Sequence, residues 1–405
     1  MEVKYPRCAA LDLGKDELLA CVRIQGLPHE CRTYATTTSE LLKLSDWMSS
    51  CAVTHVVMEA TGSYWKAVWH ILEGSFELIL ANAAHVKNVP GRKSDVNDGV
   101  WLSDLLAHGL IRGSFVPPEP IQELRDLTRT RKQLVREVVQ HTQRIQKVLD
   151  NANLKLTGVV TDILGVSGRA MLKRLIEGET DPERLADLAR GHLRVKRARL
   201  IEAFRGRITP HHRRLLRLHL DLIHSLEAAI AELDGQLEAA IQPFREAVER
   251  VKALPGISDV VAQGVISEIG VDMSRFPSHR HLLSWSCLCP RLDRSAGRIH
   301  SNRTRKGAVW LKTLLVQAAW SAVRCQNSYL RSQFLRIRAR RGPKKAILAV
   351  AASMLTAIYY MLRDGVGYRD LGPRYLDQID RSRVTHRLIH RLRNLGYQVE
   401  LREVA

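Results

Sequence analysis

Four carboxylates in the first hundred residues have the types and spacing to hold divalent cations. Asp12 interrupts the apolar run CAALDLG, where a charge is costly unless a cation compensates it. Glu59 closes a second apolar run, THVVMEA, just before an Ala-Thr-Gly turn. Asp95 and Asp98 stand three apart at the start of a helical pattern, so they share one face. If the two apolar runs are neighbouring strands, Asp12 and Glu59 meet at one sheet end and the helix brings its pair opposite. Like charges gathered this way repel, and two Mg²⁺ ions, or Mn²⁺ in their place, would neutralise them. Such ions could clamp the attacking and leaving oxygens of a phosphodiester. Taken singly, Asp95 and Asp98 also fit first-turn acids favoured by the helix dipole, and Glu59 fits a strand-end surface residue. Asp104 reads as solvated surface.

A second group is basic. Arg291, Arg294, Arg298, Arg303, Arg305 and Lys306 crowd a glycine-bearing segment around Ser295. Guanidinium groups hold phosphate bidentately and neutralise charge building on a pentacoordinate phosphorus. A serine hydroxyl is a weak nucleophile at neutral pH and needs such help. Read from these residues alone, the segment is a basic loop that binds backbone phosphates, with Ser295 as a turn residue. Upstream, LPGIS (254–258) fits the turn of a helix-hairpin-helix, where Gly256 lets backbone amides face a phosphate. It fits equally the plain first turn of a core helix.

These residues need elements to position them. CAALDLG, ELLACVRIQ and ECRTYATT read as three strands, followed by a helix over 38–49. THVVMEA is a fourth strand, a helix covers 63–73, FELILANA is a fifth strand, and a helix runs from Ser94 to about His108. The order βββαβαβα predicts an α/β domain with a mixed sheet, a ribonuclease H-like topology, over residues 1–118. VPPEP (116–120) ends it. Two long amphipathic stretches, 121–156 and 211–241, enclose a small helical insert and predict an antiparallel coiled-coil arm over 119–250. The apolar stripe of the first, including Leu124, Leu127, Leu134, Val138, Ile145, Val148 and Leu149, serves as internal core or as a dimer seam. Residues 251–370 read as a compact all-α domain with apolar helices at 309–323 and 344–362, and 371–405 as a basic, flexible tail.

Charge narrows the partners. The chain carries a net +20, yet residues 1–120 hold 11 Lys and Arg against 14 Asp and Glu, leaving +23 for the remainder. A basic part that grips nucleic acid beside an acidic part that holds cations accounts for that split. Seven scattered cysteines form no CxxC pair and have no zinc-ligand spacing, so they read as buried or idle thiols of a reducing cytoplasm. The N-terminus lacks the apolar stretch of a signal peptide, and the Ala-rich run 346–362 is short for a membrane span and fits a core helix.

LDLGKD (11–16), MEATGSYW (58–65) and GRKSDVNDGVWLSDLL (91–106) resemble the RuvC-like DEDD domain of an insertion-sequence transposase family. That family includes the pilin-gene invertases and the bridge-RNA-guided recombinases. LPGISDVVAQGVISEIG (254–270), RFPSHRHLLSWSCLCPR (275–291) and RSAGRIHSNRTRKGAVWLKTLLVQAAW (294–320) resemble its C-terminal serine transposase domain. The resemblance implies a recombinase that cuts and rejoins DNA at mobile-element ends. It places the four acids on Asp12, Glu59, Asp95 and Asp98, and the nucleophile on Ser295, which would form a 5′-phosphoserine link. It also implies a non-coding bridge RNA, a homodimer or tetrameric synapse with acids and serine from different protomers, and a cytoplasmic, nucleoid-associated enzyme with no membrane partner. Three positions depart from the family pattern. Cys287 replaces a usual glycine, Ala296 separates Ser295 from Gly297, and Lys312 replaces an arginine, which leaves Ser301 as an alternative nucleophile. Rival readings are a metal-only resolvase of Holliday junctions, a non-catalytic nucleic-acid-binding regulator, and a ribonuclease.

Overall fold

The computed structural model describes residues 2–60, 62–82, 86, 98–290, 293–295, 298–301, 303–305, 307–379 and 381–401. The chain divides into two compact units, Met1–Val116 and Pro117–Ala405.

The first unit is built on a five-stranded sheet of β1 (Arg7–Leu13), β2 (Glu17–Ile24), β3 (Glu30–Ala35), β4 (His55–Glu59) and β5 (Glu77–Ala81). Its order is β3-β2-β1-β4-β5; β1 is antiparallel to β2 and parallel to β4, and β4 is parallel to β5. This mixed sheet fits the ribonuclease H-like expectation. Every β1 residue from Cys8 to Leu11 is fully buried, because helices cover both faces, and such strands read as unbroken apolar runs. On one face, α1 (Thr38–Ser50) and α2 (Trp65–Leu72) pack Leu41, Leu44, Met48, Val68 and Leu72 against Ala9, Leu11 and Met58. On the other, α3 (Asp98–Ala107) packs Leu102, Leu105 and Leu106 against Cys8, Ala10 and Val57. Each such leucine contributes about 1.5–3 kcal/mol through burial.

Cys21 and Cys31 are bonded, which corrects the reading of all seven cysteines as free thiols. They face each other in the β2–β3 register, Cα to Cα 4.1 Å, a juxtaposition fixed by strand pairing. Asp104 is not simple solvated surface either; it accepts from Arg23 at 2.8 Å and meets His29 at 3.2 Å.

In the second unit two long helices, α4 (Glu119–Asn151) and α8 (Pro210–Ile241), lie side by side. Arg131 pairs with Asp234 and His141 meets His219 at 3.2 Å, so the helices run antiparallel. The helices between them, α5 (Val166–Glu177), α6 (Pro182–Ala186) and α7 (Arg197–Ala203), cover one end and bury Ile145, Val148 and Leu149 of α4 with Leu216 and Ile223 of α8. Val135, Val139, Leu218 and Leu222 stay exposed.

Beyond them come α9 (Arg245–Lys252), α10 (Asp259–Ile269), α11 (His279–Trp285), α12 (Val309–Ala322), α13 (Tyr329–Arg341) and α14 (Pro343–Asp364). The apolar run at 346–362 is a core helix: Ala346, Ile347, Val350, Ala351, Met354, Leu355 and Ile358 of α14 are all buried. One expectation fails here. The region is not all-α, because β6 (Asp293–Ser295) and β7 (Arg298–Ser301) pair as an antiparallel hairpin. Strands of three and four mostly polar residues carry too little alternation to read from sequence. The basic end carries α15 (Tyr375–Gln378) and α16 (Arg381–Asn394), and Ser332 and Arg336 of α13 donate to the carbonyls of Pro373 and Leu376.

Candidate active site

The acids of the first unit are placed by sheet register. β1 and β4 are parallel neighbours with Leu11 opposite Met58, so Asp12 and Glu59 come next in line at the same strand ends. Side chains alternate along a strand. Asp12 therefore shares the face of Cys8 and Ala10, and Glu59 the face of Val57, the face that α3 covers. Helix α3 runs antiparallel to β1. The Ala107 carbonyl accepts the amides of Lys4 and Tyr5 at 2.8 and 3.0 Å, ahead of the strand, and the Ser103 carbonyl accepts from Cys8 Sγ at 3.6 Å. The opposite end of α3, which begins with Asp98, thus lies toward the Asp12 end of the strand.

Asp12 and Asp98 are exposed and Glu59 is half-buried. The helix start adds the positive end of its dipole to this acidic edge. Asp95 lies outside the described residues. Among the described residues no group of three or more His, Cys, Asp or Glu side chains stands close enough to hold a metal ion. The topology thus gathers Asp12 and Glu59 on one edge and aims Asp98 toward it, without closing a cage. The donor set nevertheless suits a hard divalent cation, because carboxylate oxygens are its preferred ligands.

The serine segment is a hairpin of the second unit. Ser295 is the last residue of β6 and pairs with Arg298, the first of β7. A bridge between Pro290 and Thr304 closes its base, and Lys312 Nζ of α12 donates to Thr304 Oγ1 at 2.8 Å. Lys312 therefore anchors the strand that follows the hairpin. Arg298, Arg303 and Arg305 are exposed, and Arg294 lies on β6. Arg291 and Lys306 lie outside the described residues. Ser301, the alternative nucleophile, is half-buried and accepts from the Arg303 amide at 3.3 Å, which commits its hydroxyl to a local turn.

Gly256 has φ +84°, and a Cβ there would stand 2.5 Å from the Ala318 carbonyl oxygen of α12. Close packing alone requires glycine at this position. Ser258 caps α10, accepting from the Val261 amide.

Two cations were not singled out from the sequence. Lys132 and Arg136 share a face of α4 with Arg125 and Arg129, and the guanidiniums of Arg129 and Arg136 stand over the Trp310 ring at 5.6 and 5.0 Å. The spacing of four, three and four residues was the available signal. Trp310 is half-buried under those cations, and Trp320 is 43% exposed.

A family model described as "Transposase", of the IS110 DEDD type, matches residues 9–154. A second, described as "Transposase IS116/IS110/IS902 family", matches residues 248–335. The chain belongs to this family of DNA transposases. It is 26% identical over 357 residues to a protein of Pseudomonas aeruginosa named as a family 20 transposase, covering 86% of this chain and 96% of that one. It is 29% identical over 271 residues to y4rJ of Sinorhizobium fredii, also named as a transposase, covering 62% of this chain and 60% of that one.

The first match spans all four acids, and the second spans the hairpin that carries Ser295. A DEDD transposase domain implies divalent metal use in general, and the acidic edge of β1 and β4 and the basic hairpin are two chemically distinct regions of this transposase.

Proposed function

We propose that this transposase cuts and rejoins DNA at the ends of its own mobile element, using the acids of the first unit and Ser295 of the second. The observation that carries the reading is the register that sets Asp12 beside Glu59 on the face covered by α3. Asp12, Glu59, Asp95 and Asp98 would hold two Mg²⁺ ions. When bound, these ions supply charge neutralisation at a scissile phosphate and polarise its oxygens.

Ser295 acts as the nucleophile. Its Oγ attacks the scissile phosphorus, the bond to the 3′ oxygen breaks, and the serine proton passes to that oxygen. A 5′-phosphoserine link remains, and attack by a 3′ hydroxyl of the recombining strand reverses the step. Bond energy is conserved, so rejoining needs no outside energy source. Arg294, Arg298, Arg303 and Arg305, with Arg291 and Lys306, hold the phosphate and offset its growing charge. Backbone amides near Gly256 add a second phosphate contact. Supporting this reading is the exposure of Arg298, Arg303 and Arg305 beside Ser295.

The paired helices α4 and α8 form the coiled-coil arm of the 119–250 segment. Their exposed Val135, Val139, Leu218 and Leu222 make the seam of a homodimer, and two dimers form the synapse. A non-coding bridge-type RNA occupies part of the basic surface, and the enzyme works in the cytoplasm at the nucleoid. Residues 1–118, 251–370 and 371–405 are the acidic catalytic, serine and tail segments.

Incubation of the full chain with element-end DNA and Mg²⁺, followed by denaturing electrophoresis and mass mapping, tests the central step. The wild-type protein yields a protein–DNA adduct at Ser295. Ser295→Ala abolishes the adduct while DNA binding persists. Normal cleavage by Ser295→Ala would return the reading to a metal-only nuclease, and an adduct at Ser301 would move the nucleophile.

A further inference from the structure

The face of α4 that meets α10 and α12 carries four cations, Arg125, Arg129, Lys132 and Arg136, at successive helical turns. The first two are satisfied. Arg129 makes two hydrogen bonds of 2.8 Å to Glu268 of α10, which is 2% exposed, and Arg125 donates to the Ser267 and Glu268 carbonyls at 3.2 and 2.6 Å. The one buried carboxylate of this interface is thereby used up by the first two turns.

The next two turns have no such partner. Among the described residues, no carboxylate pairs with Lys132 or Arg136. Lys132 is half-buried, so its ammonium is partly stripped of water, and Arg136 lies beside it, exposed to solvent. Burial first, and then the Arg136 charge, pull the Lys132 ammonium below the usual lysine range. A partly desolvated ammonium beside a second cation costs stability unless an anion joins them. The Arg136 guanidinium meanwhile lies 5.0 Å from the Trp310 ring centroid, which fixes the direction of its free edge.

The location supplies the anion. Trp310 is the second residue of α12, and Lys312, one turn away from the helix start, is bonded to Thr304 at the base of the hairpin that bears Ser295. Through Trp310 and Lys312, the start of α12 thus touches both the α4 stripe and the base of that hairpin.

We propose that Lys132 and Arg136 of α4, the latter seated on Trp310, form a seat for backbone phosphates of the DNA strand that Ser295 attacks. This deepens the reading of the serine hairpin and rests on it. Lys132 is the compact point charge for one phosphate, and Arg136 the planar fork for its neighbour. Both are positioning residues; they touch the strand away from the reacting phosphorus. Their effect reaches catalysis by fixing where the scissile phosphate lies, because small misplacements of a bound reactant are costly to rate.

The test uses the full chain, a Lys132→Gln/Arg136→Gln double variant that keeps most of the side-chain bulk, and element-end duplexes with single neutral methylphosphonate replacements. Affinity is measured across a salt series. Neutralising two phosphates changes the logarithmic salt slope by about 1.8, so the double variant shows a slope shallower by roughly that amount. At one or two positions flanking the scissile phosphate, a methylphosphonate weakens wild-type binding and leaves the variant's affinity unchanged, the signature of coupled partners. Thermal melting of the variant at or above the wild-type temperature is expected, since a like-charge pair has been removed. An unchanged slope with methylphosphonate effects equal in both proteins overturns the proposal. So does a slope lost only on structured RNA, because the seat then serves an RNA. A variant with a much lower melting temperature also overturns it, because the two cations would then be structural. If wild-type protein binds no element-end DNA at any salt concentration, the reading of the hairpin fails instead.

Discussion

At Asp12 a carboxylate sits near the end of a strand whose four preceding residues, Cys8 to Leu11, are wholly buried. Its placement was legible because a charge inside an apolar run needs a reason, and the parallel register with β4 brings Glu59 alongside it. The Cys21–Cys31 bond was not legible, because only the β2–β3 register shows that residues ten apart face each other. Nor was the pairing of Asp104 with Arg23, which depends on α3 lying over β2. Cys8, on the face beneath α3, shows what burial does to a titratable group. Burial pushes its thiol from an ordinary 9.0 up to about 11, with the Arg23 charge opposing. The neutral thiol is therefore favoured by the fold. Its contribution to stability is full below the ordinary value and is lost as pH rises through about 11. In native protein at about pH 8, iodoacetamide should modify exposed Cys325 while Cys8 stays unmodified, as read by peptide mass spectrometry. Equal labelling of the two would contradict the packing of α3 on β1.

Among elements, the strands of the first unit and the long helices announce themselves through periodicity, and their observed bounds fall within a few residues of the expected ones. The β6–β7 hairpin does not, since three and four residues around a turn carry almost no pattern. The α16 helix was hidden by its arginines and histidines, which obscure the spacing of Val384, Leu388 and Leu392. The contact between α4 and α10 was also out of reach, since Arg125 and Glu268 are 143 residues apart. It can be tested directly. Glu268→Gln keeps the shape but removes the counter-charge of Arg125 and Arg129, and should cost about 3 kcal/mol. Chemical denaturation of the full chain measures it; a loss below about 1 kcal/mol would show that solvent already screens the pair.

For the whole molecule, the uneven charge is the feature that sequence conveyed best: a slightly acidic first unit and a strongly basic remainder. It indicates a polyanion as partner and cations at the acidic unit, without saying which residues meet either. The fold adds placement: β1 and β4 set Asp12 beside Glu59 at one sheet end, and α3 begins with Asp98 toward that end. Binding of Mn²⁺ to the full chain, followed by calorimetry, is the most direct measurement of the central claim. Wild-type protein should bind Mn²⁺ with affinity that falls at least about tenfold in Asp12→Asn and in Glu59→Gln, each variant still folded and each losing DNA cleavage by about a hundredfold or more. Wild-type affinity and wild-type cleavage in both variants would contradict it.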